Sequence, residues 1–333
     1  MKERVRWIDW AKTIGMFLVI LGHCHLNKSA QPITTIIYAF HMPLFFYISG
    51  ILCKSVIDSK TIKKDFKSIL IPYLAFSVIS IWLNCILSHR LSFTELYKEF
   101  LPFLIGYDCS IGPIWFLPAL FFCKLFFLLI NRYFIRNIIS ILTFQLVSLF
   151  PIHFIYYYNI NLPFFIDSAI CAIPFFCFGH YSSKIIKNLK QLSSMHKTIL
   201  FVILLFILIP LALMNGSVVI ADSVYGNYIL LYYLNAFIGI ILILIVSFSF
   251  EKYTNKIISI YAYGSIISLG IHGYILRLLH YYLPKALDYY SPTYPLSIAV
   301  LYSSIVYAAC LGIIIIIDRS KIHNIFGLKG LIR

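Results

Sequence analysis

Charged residues are scarce in this sequence, and basic residues outnumber acidic ones more than two to one. Only 12% of the 333 residues are charged, with 12 Asp and Glu against 27 Lys and Arg. A soluble globular domain carries about 25% charged residues, so this composition excludes that class. Hydrophobic residues make up 61% of the chain and the mean hydropathy is +0.90. These values are typical of a protein embedded in a lipid bilayer.

Several chemical motifs are also missing. The eight cysteines are scattered, mostly in apolar segments, and no pair has the CxxC spacing of a metal site, so we predict no metal. The sequence contains no GxSxG elbow and no Cys–His pair, so it gives no indication of a serine or thiol acyl-enzyme. We find no internal repeat and no linker, which predicts one integral-membrane domain over residues 1–333.

Long apolar runs take the place of the missing charge. They differ from the alternating segments of a membrane β-barrel and predict transmembrane helices of about 20 residues. No small-residue cleavage site follows the first run, so we expect it to be retained. The fold class is therefore all-α polytopic, with about ten transmembrane helices. The predicted spans are 8–27, 32–53, 68–88, 113–131, 137–158, 162–182, 198–215, 227–250, 257–282 and 294–317.

The net charge of +15 is distributed unevenly between alternate loops. Of the 27 Lys and Arg residues, 21 fall in one set of loops and at its border, whereas the other set holds only Lys28, Arg90, Lys98 and Lys285. Cytoplasmic loops carry the excess of basic residues, so both termini are predicted to be cytoplasmic. This distribution explains the positive charge without a nucleic-acid partner.

A polar stripe follows one face of the first span. Lys12 and His23 are eleven residues apart, so they share a helix face and stand roughly 16 Å apart along it. Asp9 lies one turn before Lys12 and close to the same face. Polar side chains in a lipid-suited helix must be hidden in a bundle or a wet cavity. We therefore expect this stripe to be the functional centre.

Several motifs resemble those of the membrane-bound acyltransferase 3 family, in particular its fucose 4-O-acetylase-like branch. The first helix of that family carries a basic residue, ten intervening residues and a histidine, which here are Lys12 and His23. The other matching segments are FHMPLFFYISG at 40–50, KKDFKSILIPY at 63–73, GPIWFL at 112–117 and IPFFCFG at 173–179.

This resemblance implies acyl transfer across a membrane. Such proteins generally take an acetyl group from cytoplasmic acetyl-CoA and place it on a sugar hydroxyl of an extracytoplasmic or lipid-linked glycan. It also implies an integral protein of a bacterial cytoplasmic membrane. The sequence leaves open the acceptor sugar, an acetyl or a succinyl donor, direct transfer or an acyl-enzyme, and the oligomeric state.

Transfer to an alcohol needs a base for the hydroxyl proton and a donor that stabilises the oxyanion. His23 is the candidate general base because imidazole titrates near neutral pH; the alternative is a structural histidine bonded to a neighbouring helix. His41 is a second catalytic candidate or a packing hydrogen bond. Asp9 is expected to orient the site by pairing with Lys12 or Arg6.

Lys12 is predicted to bind the phosphates or pantetheine arm of acetyl-CoA, or else to reach the lipid headgroups. Lys63, Lys64 and Lys67 form a basic patch whose charge follows first from topology. Binding of the CoA phosphates is its second predicted role.

Three residues are acceptor-side candidates. Trp115 is expected in the site wall or in an interfacial aromatic belt. Asp167 is an intramembrane acid, or it faces the outer water. Arg277 binds the acceptor or caps its helix.

Two other function classes compete with acyl transfer. A transporter or flippase for a glycan or small organic acid also has many spans and buried charge, but such proteins often contain paired inverted repeats, which we do not find. A structural subunit without chemistry leaves the Asp9–Lys12–His23 stripe unexplained.

Overall fold

The computed structural model describes residues 5–54, 58–87, 92–106, 112–135, 137–158, 160–287 and 293–328. Within these ranges the regular structure is helical apart from one short antiparallel hairpin, β1 (Val218–Val219) and β2 (Val224–Tyr225), and a single bridge between Leu26 and Tyr294. The helices are α1 (Arg6–Gly22), α2 (Gln31–Tyr38), α3 (His41–Leu52), α4 (Ser59–Asp65), α5 (Ile71–Leu87), α6 (Phe93–Ile105), α7 (Phe116–Tyr133), α8 (Ile138–Tyr158), α9 (Ile166–Tyr181), α10 (Ser183–Gln191), α11 (Ser194–Asn215), α12 (Ile229–Phe250), α13 (Lys256–Tyr263), α14 (Ser265–Leu287) and α15 (Leu296–Arg319).

The predicted class, an all-α polytopic membrane protein, is confirmed. In the described part of the chain, eight helical segments are long and apolar enough to cross a membrane, and nine if one bent pair counts as a span. Ten spans were expected, and each coincides with one of the helices or with consecutive helices. The predicted span that is not among these eight or nine segments is α1. Its 17 residues are about 26 Å long, slightly less than a typical hydrocarbon core.

Two predicted spans are broken rather than continuous. Residues 32–53 form α2 and α3, which meet at Ala39 and Phe40, so Pro43 lies in the first turn of α3. A proline is tolerated there because the first backbone N–H groups of a helix have no partner within it. Residues 257–282 form α13 and α14, which are bent by 80° at Gly264. Both breaks lie against α1.

Helix α1 is the centre of the bundle. It contacts α2, α3, α12, α13, α14 and α15, and its side chains Ala11, Met16, Val19 and Ile20 are almost completely buried. Helices α8 and α11 lie at the periphery and expose apolar side chains such as Phe150 and Phe206, as expected for helices that face lipid. The polar stripe of α1 is thus enclosed by protein.

Helices α3 and α9 cross in backbone contact. Gly50 of α3 lies against the carbonyl of Phe176, and Gly179 of α9 lies against the carbonyl of Tyr47. Small residues let membrane helices approach to backbone contact. This crossing fixes α3, which begins at His41.

Candidate functional site

Three histidines and a tyrosine from four helices meet where α1 ends. His23 is the residue that caps α1, and its ring centroid is 5.3 Å from that of His272 on α14. The hydroxyl oxygen of Tyr38, the last residue of α2, is 3.3 Å from His23 Nδ1. The Tyr38 ring is in turn 4.8 Å from the ring of His41. We call these four residues the histidine cluster.

Backbone contacts fix the tautomers of two members of the cluster. His41 Nδ1 is 2.9 Å from the carbonyl oxygen of Ile37, and His272 Nδ1 is 2.8 Å from that of Ser268. A carbonyl only accepts, so both Nδ1 atoms carry the proton and donate it. The Nε2 atom of each neutral ring therefore holds the lone pair. His272 is fully buried, and its Nε2 has no partner within the described residues.

A cavity of about 500 Å³ opens beside the cluster. Its walls include His23, His25, Arg277, His280 and Tyr294, and we call it the histidine cavity. Gly273 on α14 also lines it, and a Cβ atom at that position would have no atom within 4 Å. A ligand in this cavity therefore has direct access to His23.

A second cavity, of about 760 Å³, lies at the other end of α1. Asp9 and Lys12 line it together with Lys54 and His180, and we call it the Lys12 cavity. The Asp9 carboxylate accepts a hydrogen bond of 2.9 Å from the Ser259 hydroxyl on α13. Asp9 thus holds α13 against α1 beside Lys12.

A small void of about 30 Å³ lies deep in the bundle, between helices that border both cavities. Its walls include Met16 of α1, Met42 and Phe45 of α3, Phe116 of α7 and Leu269 of α14. This volume holds about one water molecule. Met16 lies between Lys12 and His23 in the sequence, and methionine side chains adapt easily to new packing.

Comparison with known proteins identifies the family of this chain. The sequence profile of the acyltransferase 3 family, described as an acyltransferase domain, matches residues 5–318. The chain belongs to this acyltransferase family. No curated protein and no solved structure gives a significant match. The matched residues of this acyltransferase include those that line the two cavities and all four residues of the histidine cluster.

The basic patch of the acyltransferase lies in a separate groove. Lys60, Lys63, Lys64 and Lys67 line a space of about 980 Å³ that we call the lysine groove. Asp65, between these lysines in the sequence, points elsewhere, and its carboxylate is 2.6 Å from Lys124 Nζ on α7. The four predicted donor-binding lysines, Lys12 included, thus fall into two sites.

The Lys12 cavity is also lined by a candidate nucleophile, the thiol of Cys53, which is the residue after α3. The Cys53 thiol donates a hydrogen bond of 3.3 Å to the Lys54 carbonyl oxygen. The thiolate is the nucleophilic form of cysteine, and a thiol that donates to a carbonyl holds its proton. The geometry therefore does not favour a cysteine acyl-enzyme in this cavity.

Asp167 lines neither the histidine cavity nor the Lys12 cavity, and its role on the acceptor side stays a prediction. Its buried carboxylate accepts hydrogen bonds from the Leu162 N–H at 3.0 Å and from the Ser223 hydroxyl at 2.6 Å. These bonds join the start of α9 to the β1–β2 hairpin. No observation in this geometry supports its predicted contact with the acceptor.

Trp115 lies close to the histidine cavity, since Pro113 in the same short helical turn lines that cavity. The Trp115 ring is buried and packs against the rings of Phe116 and Phe165. Trp115 is not among the residues that line this cavity, so its place in the site wall or in an aromatic belt stays a prediction.

Two members of the cluster, Tyr38 and His272, were not identified from the sequence. His272 follows Ser268 by one helical turn, and an intramembrane histidine is itself a signal of function. Tyr38 is one of 25 tyrosines, and nothing in its neighbourhood distinguishes it. Within the described ranges, no three His, Cys, Asp or Glu side chains are arranged to hold a metal ion.

Proposed function

We propose that this family member is an O-acetyltransferase of the fucose 4-O-acetylase-like branch. It takes the acetyl group from cytoplasmic acetyl-CoA and transfers it to a sugar hydroxyl of an extracytoplasmic or lipid-linked glycan. The observation that supports this most strongly is that each end of α1 lines a cavity. Lys12 lines one cavity and His23 lines the other, roughly 16 Å apart by helical rise, a distance comparable to an extended pantetheine arm.

In the proposed reaction the acceptor occupies the histidine cavity and His23 acts as general base. His23 Nε2 takes the hydroxyl proton while the oxygen attacks the thioester carbonyl. The tetrahedral intermediate collapses, the C–S bond breaks, and the His23 imidazolium returns the proton to the departing CoA sulfur. The products are the acetyl ester and the free thiol.

The neighbours of His23 suit this role. When Nε2 acts as the base, Nδ1–H donates to the Tyr38 oxygen, 3.3 Å away, and this bond orients the ring. In this proposal His41 positions the Tyr38 ring through their ring contact, and Asp9 positions α13 beside the donor.

A direct assay tests the proposal. Purified protein is mixed with acetyl-CoA and de-O-acetylated surface polysaccharide from the source cells, and thiol release and ester formation are measured together. We expect thiol release that depends on the polysaccharide and equals the ester formed. The two separate cavities also suit a transporter of glycans, so vesicle uptake of the sugar without thioester cleavage would overturn the assignment.

The separation of the lysines gives a test of where the donor binds. We expect Lys12→Gln to raise the KM for acetyl-CoA about tenfold or more, because a hydrogen bond to a charged partner contributes about 1.5–3 kcal/mol. Steady-state thiol release measures this effect. Lys256→Gln, at an exposed position at the start of α13, should leave the KM unchanged.

The converse result would relocate the donor. If Lys12→Gln has a normal KM and the triple change of Lys63, Lys64 and Lys67 to Gln raises it, the lysine groove holds the CoA phosphates. A rise with both sets of variants would show that one CoA molecule reaches both sites.

The acceptor side is tested by a substitution in the histidine cavity. Because Gly273 faces open space, the side chain in Gly273→Leu should project into the cavity and lower transfer to the polysaccharide at least tenfold. Ester formation by NMR measures the loss. Gly312→Leu is the matched control, since a Cβ atom there also meets nothing and Gly312 is exposed on α15. Equal activity of both variants would place the acceptor elsewhere.

A further inference from the structure

We infer that the histidine cavity selects an acceptor that carries a negative charge, a carboxylate or a phosphate, near the hydroxyl to be acylated. This inference rests on the proposed function and names its acceptor class. Arg277 lines the cavity together with His23, His25 and His280, and among the described lining residues none is an acid. The cavity therefore presents one permanent positive charge and three imidazoles.

Neutral partners hold the guanidinium of Arg277 in place. Its Nη1 donates a hydrogen bond of 3.1 Å to Asn84 Oδ1 on α5, and its Cζ lies 5.7 Å from the centre of the Tyr274 ring. The Tyr274 hydroxyl donates in turn to the hydroxyl of Ser80. These contacts orient the group without cancelling its charge, and guanidinium carries five N–H donors in a planar fork. Donors beyond the Asn84 bond suit a carboxylate or phosphate.

The position of Arg277 runs against the charge pattern of the whole chain. With the predicted orientation, 21 of the 27 basic residues lie on or at the border of the cytoplasmic side, whereas the histidine cavity lies on the opposite side. Four others, Lys28, Arg90, Lys98 and Lys285, are predicted in the loops of that side. Arg277 differs from these in its position, since it lines a cavity together with His23, where a ligand of the opposite sign can reach it.

The cavity has further polar groups one turn along α14 from Arg277. The ring of His280 is 5.3 Å from that of His25 and 5.0 Å from that of Tyr294, and His280 Nε2 is a buried atom without a partner in the described part of the chain. The Tyr294 N–H donates to the His25 carbonyl at 2.7 Å, and the Asn27 N–H donates to the Tyr294 carbonyl at 2.9 Å. This short pairing closes one side of the cavity and holds His25 beside His280.

This wall favours anionic over neutral sugars by charge. Arg277 is an exposed residue of the cavity, so a neutral sugar gains nothing from its charge, whereas an anion is attracted to it in a way that salt screens. An anionic sugar pairs with it and places the neighbouring hydroxyl near His23.

Binding without acetyl-CoA tests the selection separately from the chemistry. The probes are methyl β-glucuronide, methyl β-glucoside and methyl β-glucoside 6-phosphate, titrated calorimetrically into the purified full-length protein. We expect at least one anionic probe to bind tenfold or more tightly than the neutral one, with an advantage that shrinks at high salt. The glucuronide and phosphate arms distinguish a carboxylate from a phosphate.

The variants assign the effect to Arg277. Arg277→Gln should remove the preference for the anion, and Arg277→Lys should keep part of it. Arg132→Gln is the matched control, because Arg132 also stacks on a tyrosine, Tyr133, in the last turn of α7. Equal binding of all three probes, no binding of either anion, or a preference that survives Arg277→Gln would overturn the inference. Thiol release is measured separately, so anion preference without thioester cleavage would contradict only the proposed reaction.

Discussion

We expect His23→Gln to lower acceptor-dependent thiol release from acetyl-CoA by about 10²–10⁴-fold, the usual contribution of a general base. Glutamine keeps a polar group of similar length but cannot take a proton at neutral pH. His23 lines the histidine cavity and contacts Tyr38 at 3.3 Å. The loss should therefore appear in kcat, with the KM for acetyl-CoA close to that of the wild type, in assays of purified protein with equal monodispersity.

The control for this experiment is His153→Gln. His153 is an exposed histidine on the peripheral helix α8 and lines neither the histidine cavity nor the Lys12 cavity. Its substitution should leave thiol release within about twofold of the wild type, in line with an exposed side chain away from a site. Full activity of His23→Gln would remove His23 from the mechanism. Loss of activity only in His272→Gln would assign the proton transfer to that residue.

Much of the fold follows from the sequence because a bilayer permits few solutions. Backbone polar groups in lipid must be satisfied within the segment, so a long apolar run is a helix. The runs at 198–215 and 294–317 became α11 and α15 with almost the same bounds. The breaks at Phe40 and Gly264 were less predictable, since both lie inside apolar segments. Phe40 packs against Gly239 of α12 and Gly264 packs against Ile314 of α15, so tertiary contacts act at both breaks together with the local Pro43 and Gly264.

The candidate site was predictable only where its residues share a helix. Helical spacing alone relates Lys12 to His23, and the structure confirms that both lie on α1 or at its end. No spacing relates His23 to His272, which lies on another helix far along the chain. The same limit explains why Lys12 and Lys63 were assigned to one donor site although they line different spaces. Contacts between distant helices are set by tertiary packing.

The second large effect concerns the crossing of α3 and α9. We expect Gly50→Ala to abolish the folded protein or to lower its unfolding temperature by many degrees. A Cβ atom at Gly50 would lie 2.0 Å from the Phe176 carbonyl oxygen, and backbone cannot move aside as a side chain can. Overpacking costs about 1–3 kcal/mol and occasionally more, and this contact requires the two helices to separate. Fluorescence-detected size-exclusion chromatography after a temperature ramp measures the effect.

Gly179→Ala should be equally damaging, because a Cβ atom at Gly179 would lie 2.1 Å from the Tyr47 carbonyl oxygen on the same crossing. Gly312→Ala is the matched control and should behave like the wild type, since a Cβ atom there meets nothing within 4 Å. Normal stability of Gly50→Ala would mean that α3 and α9 are farther apart than described. Because α3 begins at His41 and Gly179 lines the Lys12 cavity, such a separation would alter the wall of that cavity and the position of a cluster histidine together.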